Sequence, residues 1–215
     1  MNANAQELSP DEIDAENHLM IDIRPREERY SELGWIPASL SLSGVGAERL
    51  SWLREQLEGS ETAVLYCTSG RRSEKTLAIL GAEYPRPLAH LRGGVLGWSA
   101  AGLPTCGLVD VEPPDFLLSL EAPSQFRQAL TSCFVAATME STLSDDDADP
   151  MQTLRSCYEI EGVSWEDPSI DDLYYVIDRM ALASRRLGGD LATIVENTNT
   201  MHEALERMSA RINGA

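Results

Sequence analysis

The sequence predicts an α/β fold in its first half, a mainly parallel sheet flanked by helices, followed by an all-α second half. In the first half, short apolar segments alternate with helical patterns, which is typical of parallel sheets. In the second half, apolar residues recur at helical spacing only. The charge also changes, from a net −5 over residues 1–109 to −13 over residues 110–215. We therefore predict two domains, at residues 8–109 and residues 115–215.

The elements of the first half are predicted from apolar runs and capping residues. Residues 18–23 and 63–66 are mostly apolar, and each run is too short for a helix, which favours buried strands. Helices are expected at three further segments: residues 10–15 after the cap Ser9, residues 48–57 and residues 73–81.

The second half begins after a break at residues 110–115, where paired prolines can continue neither a helix nor a central strand. Amphipathic helices are predicted at residues 124–143 and, with Ser169 as the cap, at 169–187. Residues 191–212 carry a three-four apolar alternation, which fits either a homodimer through the C-terminal helices or packing within one chain. Marginal length and few charged flanking pairs favour packing within one chain. The aspartates of residues 144–150 predict a solvated loop.

Charge and composition exclude several classes of protein. With 17 basic against 35 acidic side chains, the chain should repel nucleic acid and anionic membrane surfaces. No apolar run is long enough to span a bilayer, and the N-terminus lacks a secretory leader, so we expect a cytoplasmic protein. Four separated cysteines and three isolated histidines predict neither a metal site nor a disulfide framework.

Cys67 carries the main chemical signal, because it ends an apolar strand and precedes a short glycine-containing loop and a helix pattern. Backbone N–H groups, the positive end of the helix and the guanidinium groups of Arg71 and Arg72 all favour a thiolate at this position. We predict that Cys67 is a nucleophile. The alternative is a small buried core thiol.

Two further groups of motifs flank this loop. Before it stand Ile21-Asp22-Ile23-Arg24, Glu27-Glu28-Arg29-Tyr30 and Gly34-Trp35-Ile36-Pro37-Ala38, and after it stand Leu91-Arg92-Gly93-Gly94, Trp98 and Gly102-Leu103-Pro104. Together with the Cys67 loop, these motifs resemble the rhodanese family of sulfurtransferases over residues 8–106. The resemblance implies a rhodanese-like sheet. Independently of it, Asp22 and Arg24 are expected to form an ion pair or turn that orders a neighbouring loop.

The resemblance also implies roles for the loop residues. In such enzymes the cysteine at the position of Cys67 takes a sulfane sulfur from a donor and becomes a persulfide. Arg72 would bind the anionic donor and stabilise the leaving group. The backbone amides from Thr68 to Arg72 would hold the terminal sulfur. Besides Arg72, the substrate-binding loop consists of Thr68, Ser69, Gly70 and Arg71. The side chain of Arg71 either contacts the substrate or points to solvent.

The length of the loop separates two chemistries. Phosphatases related to this family place five residues between cysteine and arginine, whereas four lie between Cys67 and Arg72, which favours sulfur over phosphate. Tyr66 also stands where those phosphatases carry a histidine. Thr68 stands where many thiosulfate-using relatives have arginine.

Two functions are consistent with these residues. The first is a sulfurtransferase that passes sulfur from thiosulfate or a persulfide, small or protein-bound, to a nucleophilic acceptor that is a small molecule or a protein. It needs no cofactor. The second is a binding or sensing module in which Cys67 reports sulfur or redox state and the helical half is the effector. No family is recognised in residues 107–215.

Overall fold

The structure, a computed structural model, describes residues 5–14, 17–42, 62–80, 87–107, 112–141 and 149–214. The chain divides into two compact units, residues 1–107 and residues 108–215. The predicted helix at residues 48–57, most of the loop at 144–150 and part of the break at 110–115 lie outside the described residues. The domains at 8–109 and 115–215 stay a prediction.

The first unit contains a parallel sheet whose described strands are β1 (Ala5–Leu8), β2 (His18–Asp22), β3 (Leu40–Ser41), β4 (Thr62–Tyr66) and β5 (Leu88–Leu91). Their order across the sheet is β1-β5-β4-β2-β3. Ala5 pairs with Leu88, so β1 and β5, the first and last described strands along the chain, are neighbours in the sheet. The strands predicted at 18–23 and 63–66 are confirmed as β2 and β4.

The described helices of this unit are a 3-10 turn (Pro10–Glu12), α1 (Arg26–Arg29), α2 (Arg71–Leu80) and α3 (Gly94–Ala100). The helix predicted at residues 10–15 is wrong in type and length. Glu12 accepts hydrogen bonds from the Ser9 backbone at 2.8 Å and from its hydroxyl at 2.6 Å, which closes a single turn. The Asp14 backbone then donates to the His18 imidazole at 2.8 Å instead of continuing a helix.

The central strand β4 is buried from Ala63 to Tyr66, as expected for a parallel strand covered on both faces. A core cluster extends from it on one side and includes two aromatic side chains, Tyr66 and Trp98. Its other members are Leu8, Met20, Ile36, Val64, Ala89, Leu91 and Val95. Because the strand is held on both sides, the residue that follows it, Cys67, has a fixed position.

The second unit is helical in its described residues. Its helices are α4 (Asp115–Leu118), α5 (Pro123–Ser141), α6 (Pro150–Ile160), α7 (Ile170–Arg186) and α8 (Leu191–Asn213). The helices predicted at 124–143 and 169–187 are present in the described residues as α5 and α7, and the alternation at 191–212 lies on α8. Ser169 caps α7 as predicted and accepts from the Asp172 backbone N–H at 3.1 Å. In the same way, Asp190 caps α8 by accepting from the Thr193 backbone N–H at 2.9 Å.

The three-four alternation on α8 is buried at its centre and exposed at its ends. Ile194, Met201 and Leu205 are buried, whereas Leu191 and Ile212 are 37% and 44% exposed. Burial in the single chain is what packing within one chain requires. The homodimer through these helices remains untested.

Candidate active site

Cys67 directly follows β4 at the carboxyl edge of the sheet, and its side chain is fully buried. The chain then turns through Gly70 into α2, which begins at Arg71. Gly70 adopts a φ of +86°, in the left-handed region, and a Cβ there would lie 3.0 Å from the backbone nitrogen of Gly93. A glycine is therefore required where this loop passes the turn before α3.

Three backbone N–H groups surround the Cys67 sulfur. Burial alone raises the pKa of the thiol, but hydrogen bonds from the N–H groups of Ser73, Ser69 and Arg72 outweigh it, and the pKa of Cys67 lies below its ordinary value. These groups stabilise the thiolate because they place positive ends of peptide dipoles around the sulfur. The loop amides predicted up to Arg72 thus extend one residue further, to Ser73.

Ser73 contributes its side chain as well. Its buried hydroxyl lies 3.8 Å from the Cys67 sulfur, within hydrogen-bonding range for sulfur, and 2.9 Å from the Gly70 carbonyl oxygen. The hydroxyl is a further cause of the lowered pKa of Cys67. Ser73 therefore joins the loop to the first turn of α2 and supports the thiolate. From the sequence, Ser73 is predicted only as the start of a helix.

The first turn of α3 holds the loop from the opposite side. The backbone N–H of Val95 donates to the Cys67 carbonyl at 2.9 Å, and that of Leu96 donates to the Thr68 carbonyl at 3.1 Å. Gly94 permits this approach, since at its φ of +58° a Cβ would lie 2.1 Å from the Cys67 carbonyl oxygen. The double glycine after Arg92 is thus part of the site.

Arg72 is paired with an acidic side chain from α1. Its Nη1 donates to Glu28 Oε1 at 2.8 Å, and its Nη2 donates to Glu28 Oε2. Hydrogen bonds to Glu28, together with the nearby Cys67 sulfur, raise the pKa of Arg72, and the same pairing lowers the pKa of Glu28. The Thr68 hydroxyl also donates to Glu28 Oε2, at 3.0 Å. The loop arginine therefore lies between the Cys67 sulfur and a carboxylate.

A buried network fixes the position of α1, and hence of Glu28. Asp22 accepts from Arg24 Nη2 at 2.7 Å and from Arg29 Nη1 at 3.0 Å, and all three side chains are fully buried. Arg24 Nη1 also donates to the Glu28 carbonyl oxygen at 3.3 Å. The ion pair predicted for Asp22 and Arg24 is present, and it supports the helix that carries Glu28.

The other predicted loop residues divide by exposure. The side chains of Ser69 and Arg71 are exposed, Thr68 is half-buried, and Gly70 is buried. The exposure of Arg71 fits the solvent-facing alternative. Sequence reasoning missed the roles of Glu28, Ser73 and Gly94. Of these three, only the role of Gly94 could have been inferred from the sequence. Two adjacent glycines before a helix indicate an unusual backbone conformation or the close approach of another backbone segment.

The described ranges contain neither a metal-binding cluster nor a helix that could cross a membrane. Within them, no three His, Cys, Asp or Glu side chains lie together in a way that could hold a metal ion. No helix in the described part of the chain combines the length and the apolar character that crossing a membrane requires.

Among known protein families, the rhodanese-like domain matches residues 5–101 of this chain. A sulfurtransferase of Allochromatium vinosum is 31% identical over 101 residues, which are 47% of this chain and 90% of that protein. An uncharacterized protein of Synechocystis sp. is 38% identical over 87 residues, which are 40% of this chain. The match spans only 46% of the length of the Synechocystis protein.

A solved structure, the thiosulfate sulfurtransferase of Pseudomonas aeruginosa, is 15% identical and aligns with 94% of this chain and 41% of its own, with a TM-score of 0.40. The Allochromatium relative is matched over nearly its whole length, and the domain match includes both the sheet and the Cys67 loop. The chain therefore belongs to the rhodanese-like family of sulfurtransferases.

Proposed function

We propose that this protein moves a sulfane sulfur from thiosulfate or a persulfide, through a persulfide on Cys67, to a nucleophilic acceptor. The observation that carries the proposal is the set of backbone N–H groups from Ser69, Arg72 and Ser73 that bind the Cys67 sulfur and lower its pKa. Only a thiolate is a good nucleophile toward sulfur, and these groups increase the fraction of Cys67 that is thiolate.

The first half-reaction loads Cys67. The Cys67 thiolate attacks the outer sulfur of thiosulfate, a new S–S bond forms to Cys67, and the S–S bond of thiosulfate breaks with its electron pair going to sulfite. Cys67–S⁻ and S–SO₃²⁻ become Cys67–S–S⁻ and SO₃²⁻, so the charge balances without an external oxidant or reductant. The loop amides receive the terminal sulfur, and Arg72 stabilises the leaving anion.

The second half-reaction returns Cys67 to its starting form. An acceptor such as cyanide attacks the terminal sulfur, the bond to Cys67 breaks, and Cys67 leaves as a thiolate while thiocyanate forms. The N–H groups that lower the pKa of Cys67 also make it a good leaving group, because they stabilise the same anion in both steps. The physiological acceptor is a small nucleophile or a protein.

Two observations favour sulfur transfer over phosphate transfer. Four residues separate Cys67 from Arg72, a loop shorter than that of the related phosphatases. In addition, Glu28 binds both Nη atoms of Arg72, which a phosphate dianion would need for bidentate binding and which a persulfide donor does not need.

The test is intact mass measurement after incubation with thiosulfate or glutathione persulfide. The protein should gain about 32 Da, one sulfur atom, which cyanide or a thiol should remove. Cys67→Ser should take up no sulfur. Cys157→Ala is the matched control, because burial raises the pKa of Cys157 to about 12 and leaves that thiol unreactive.

The outcomes separate the two functions that the residues allow. Sulfur uptake by Cys67→Ser would refute the assignment of the nucleophile. Uptake on Cys67 followed by repeated formation of thiocyanate supports the transferase. Uptake that stops after one sulfur and is not passed to cyanide or to thiols would indicate a sensing module instead.

A further inference from the structure

The guanidinium of Arg72 is occupied before any donor arrives. Both of its Nη atoms donate to the two carboxylate oxygens of Glu28, one of them at 2.8 Å, in the bidentate geometry that arginine uses for carboxylates and other oxyanions. An anionic donor that used the same two N–H groups would have to displace Glu28.

Glu28 is held in place from more than one side. The Thr68 hydroxyl donates to Glu28 Oε2 at 3.0 Å, and Arg72 Nη2 donates to the same hydroxyl oxygen at 3.2 Å. The backbone of Glu28 is fixed by Arg24, whose Nη1 donates to its carbonyl oxygen at 3.3 Å. Glu28 and Arg72 are 42% and 45% exposed, so the pair can open, but a carboxylate stays beside the loop when it does.

This arrangement treats two kinds of donor differently. Thiosulfate has two negative charges close to the sulfur that is transferred, and its sulfonate oxygens match the fork that Glu28 already fills. A displaced Glu28 would repel it across a few ångströms. A persulfide donor, R–S–SH, has no sulfonate, and its leaving group is one thiolate sulfur, which one N–H donor can stabilise.

We propose that Glu28 is a specificity-determining residue that disfavours compact dianionic donors and leaves the site selective for persulfides of the R–S–SH class. The proposal rests on the proposed function of Cys67. With such a donor, Cys67–S⁻ and R–S–SH become Cys67–S–SH and R–S⁻. One S–S bond forms, one breaks, and the electron pair leaves with the donor thiolate.

The experiment compares two donors on the full chain. Single-turnover loading of Cys67 is followed by intact mass with thiosulfate and with glutathione persulfide, whose carboxylates lie away from the transferred sulfur. Glu28→Gln removes the charge and keeps the side-chain length. It should raise the thiosulfate rate constant about tenfold, the scale expected for like charges near an exposed surface, and change the persulfide rate constant by less than about threefold.

Two variants complete the design. Glu28→Ala removes the charge and, unlike Glu28→Gln, leaves no side-chain amide that could bind Arg72. It should shift the ratio of the two rate constants in the same direction. Glu27→Gln is the matched control, because Glu27 is an exposed acid on the same short helix and its loss should leave the ratio unchanged.

The remaining outcomes would overturn the inference in distinguishable ways. If both donors load Cys67 and Glu28→Gln leaves their ratio unchanged, Glu28 does not set specificity and the proposed function stands. If Glu28→Gln slows both donors equally, Glu28 only supports the loop. If neither donor loads Cys67 in the unmodified protein, the proposed function fails and the inference fails with it.

Discussion

Gly94→Ala tests whether the first turn of α3 holds the Cys67 loop. The alanine Cβ would lie 2.1 Å from the Cys67 carbonyl oxygen and 2.8 Å from the Gly70 backbone nitrogen. Both are backbone atoms, so no flexible side chain can move aside to make room. The loop and the helix must separate by roughly 1 Å to restore ordinary contact, and a displacement of that size at a reacting group can cost about 10²-fold in rate.

The loss of stability follows from two contributions. A non-glycine residue at a φ of +58° costs about 1–2 kcal/mol. Separation also weakens two hydrogen bonds, from Val95 N–H to the Cys67 carbonyl at 2.9 Å and from Leu96 N–H to the Thr68 carbonyl at 3.1 Å. Each contributes about 1 kcal/mol, which gives a total near 3–4 kcal/mol.

Gly102→Ala separates these contributions. Gly102 has a similar φ of +73°, but a Cβ there meets no atom within 4 Å. This control should therefore lose only the backbone contribution, about 1–2 kcal/mol, and keep the full rate of Cys67 loading. The free energy of unfolding is measured in urea, and loading by intact mass with a persulfide donor. Equal losses of stability in the two variants, or normal loading in Gly94→Ala, would refute the role assigned to α3.

Two further predictions concern the thiolate and the buried network. Ser73→Ala should raise the pKa of Cys67, since it removes a hydrogen bond to the sulfur. Alkylation of Cys67 by iodoacetamide at pH 6 should then slow. The control Ser69→Ala, at an exposed side chain, should not alter the pH profile of alkylation. An unchanged midpoint of that profile in Ser73→Ala would contradict the role assigned to the Ser73 hydroxyl. Asp22→Asn should cost about 3–5 kcal/mol in urea unfolding, because Arg24 and Arg29 stay buried without their carboxylate. Glu32→Gln, at an exposed side chain, is the control. A loss below about 1 kcal/mol in Asp22→Asn, no larger than that of the control, would argue against a stabilising role of the buried Asp22 carboxylate.

The parts of the site that are continuous in sequence could be predicted from the sequence. A strand, Cys67, a glycine-containing loop and a helix follow one another directly, so their chemistry can be inferred without knowing the fold. The pair formed by Glu28 and Arg72 could not, because the two residues are 44 positions apart and only the sheet and the network around Asp22 bring them together. Charge spacing along the chain contains no trace of that contact.

The fold shows the same division. Strands β2 and β4 contain three or more consecutive strongly apolar residues, which predicts them, whereas β5 has four residues, Leu88–Leu91, and includes His90. The histidine interrupts the apolar run, so the sequence around β5 lacks the continuous apolar character that indicates a buried strand. The 3-10 turn at Pro10–Glu12 was predicted as a longer helix, since the capping signal of Ser9 and Glu12 is the same for both.

The pairing of Ala5 with Leu88 brings together two strands from opposite ends of the first unit. The edge strand β1 has to wait for β5, and closing so long a loop of chain costs entropy before any contact is gained. The turn that clamps the Cys67 carbonyl, at Gly94 to Leu96, comes later still in the chain. A growing chain that has passed Cys67 but not yet reached α3 thus holds a thiol without its complete loop. The contacts that lower the pKa of Cys67 and hold its carbonyl are therefore complete only when α2 and α3 have both folded against β4.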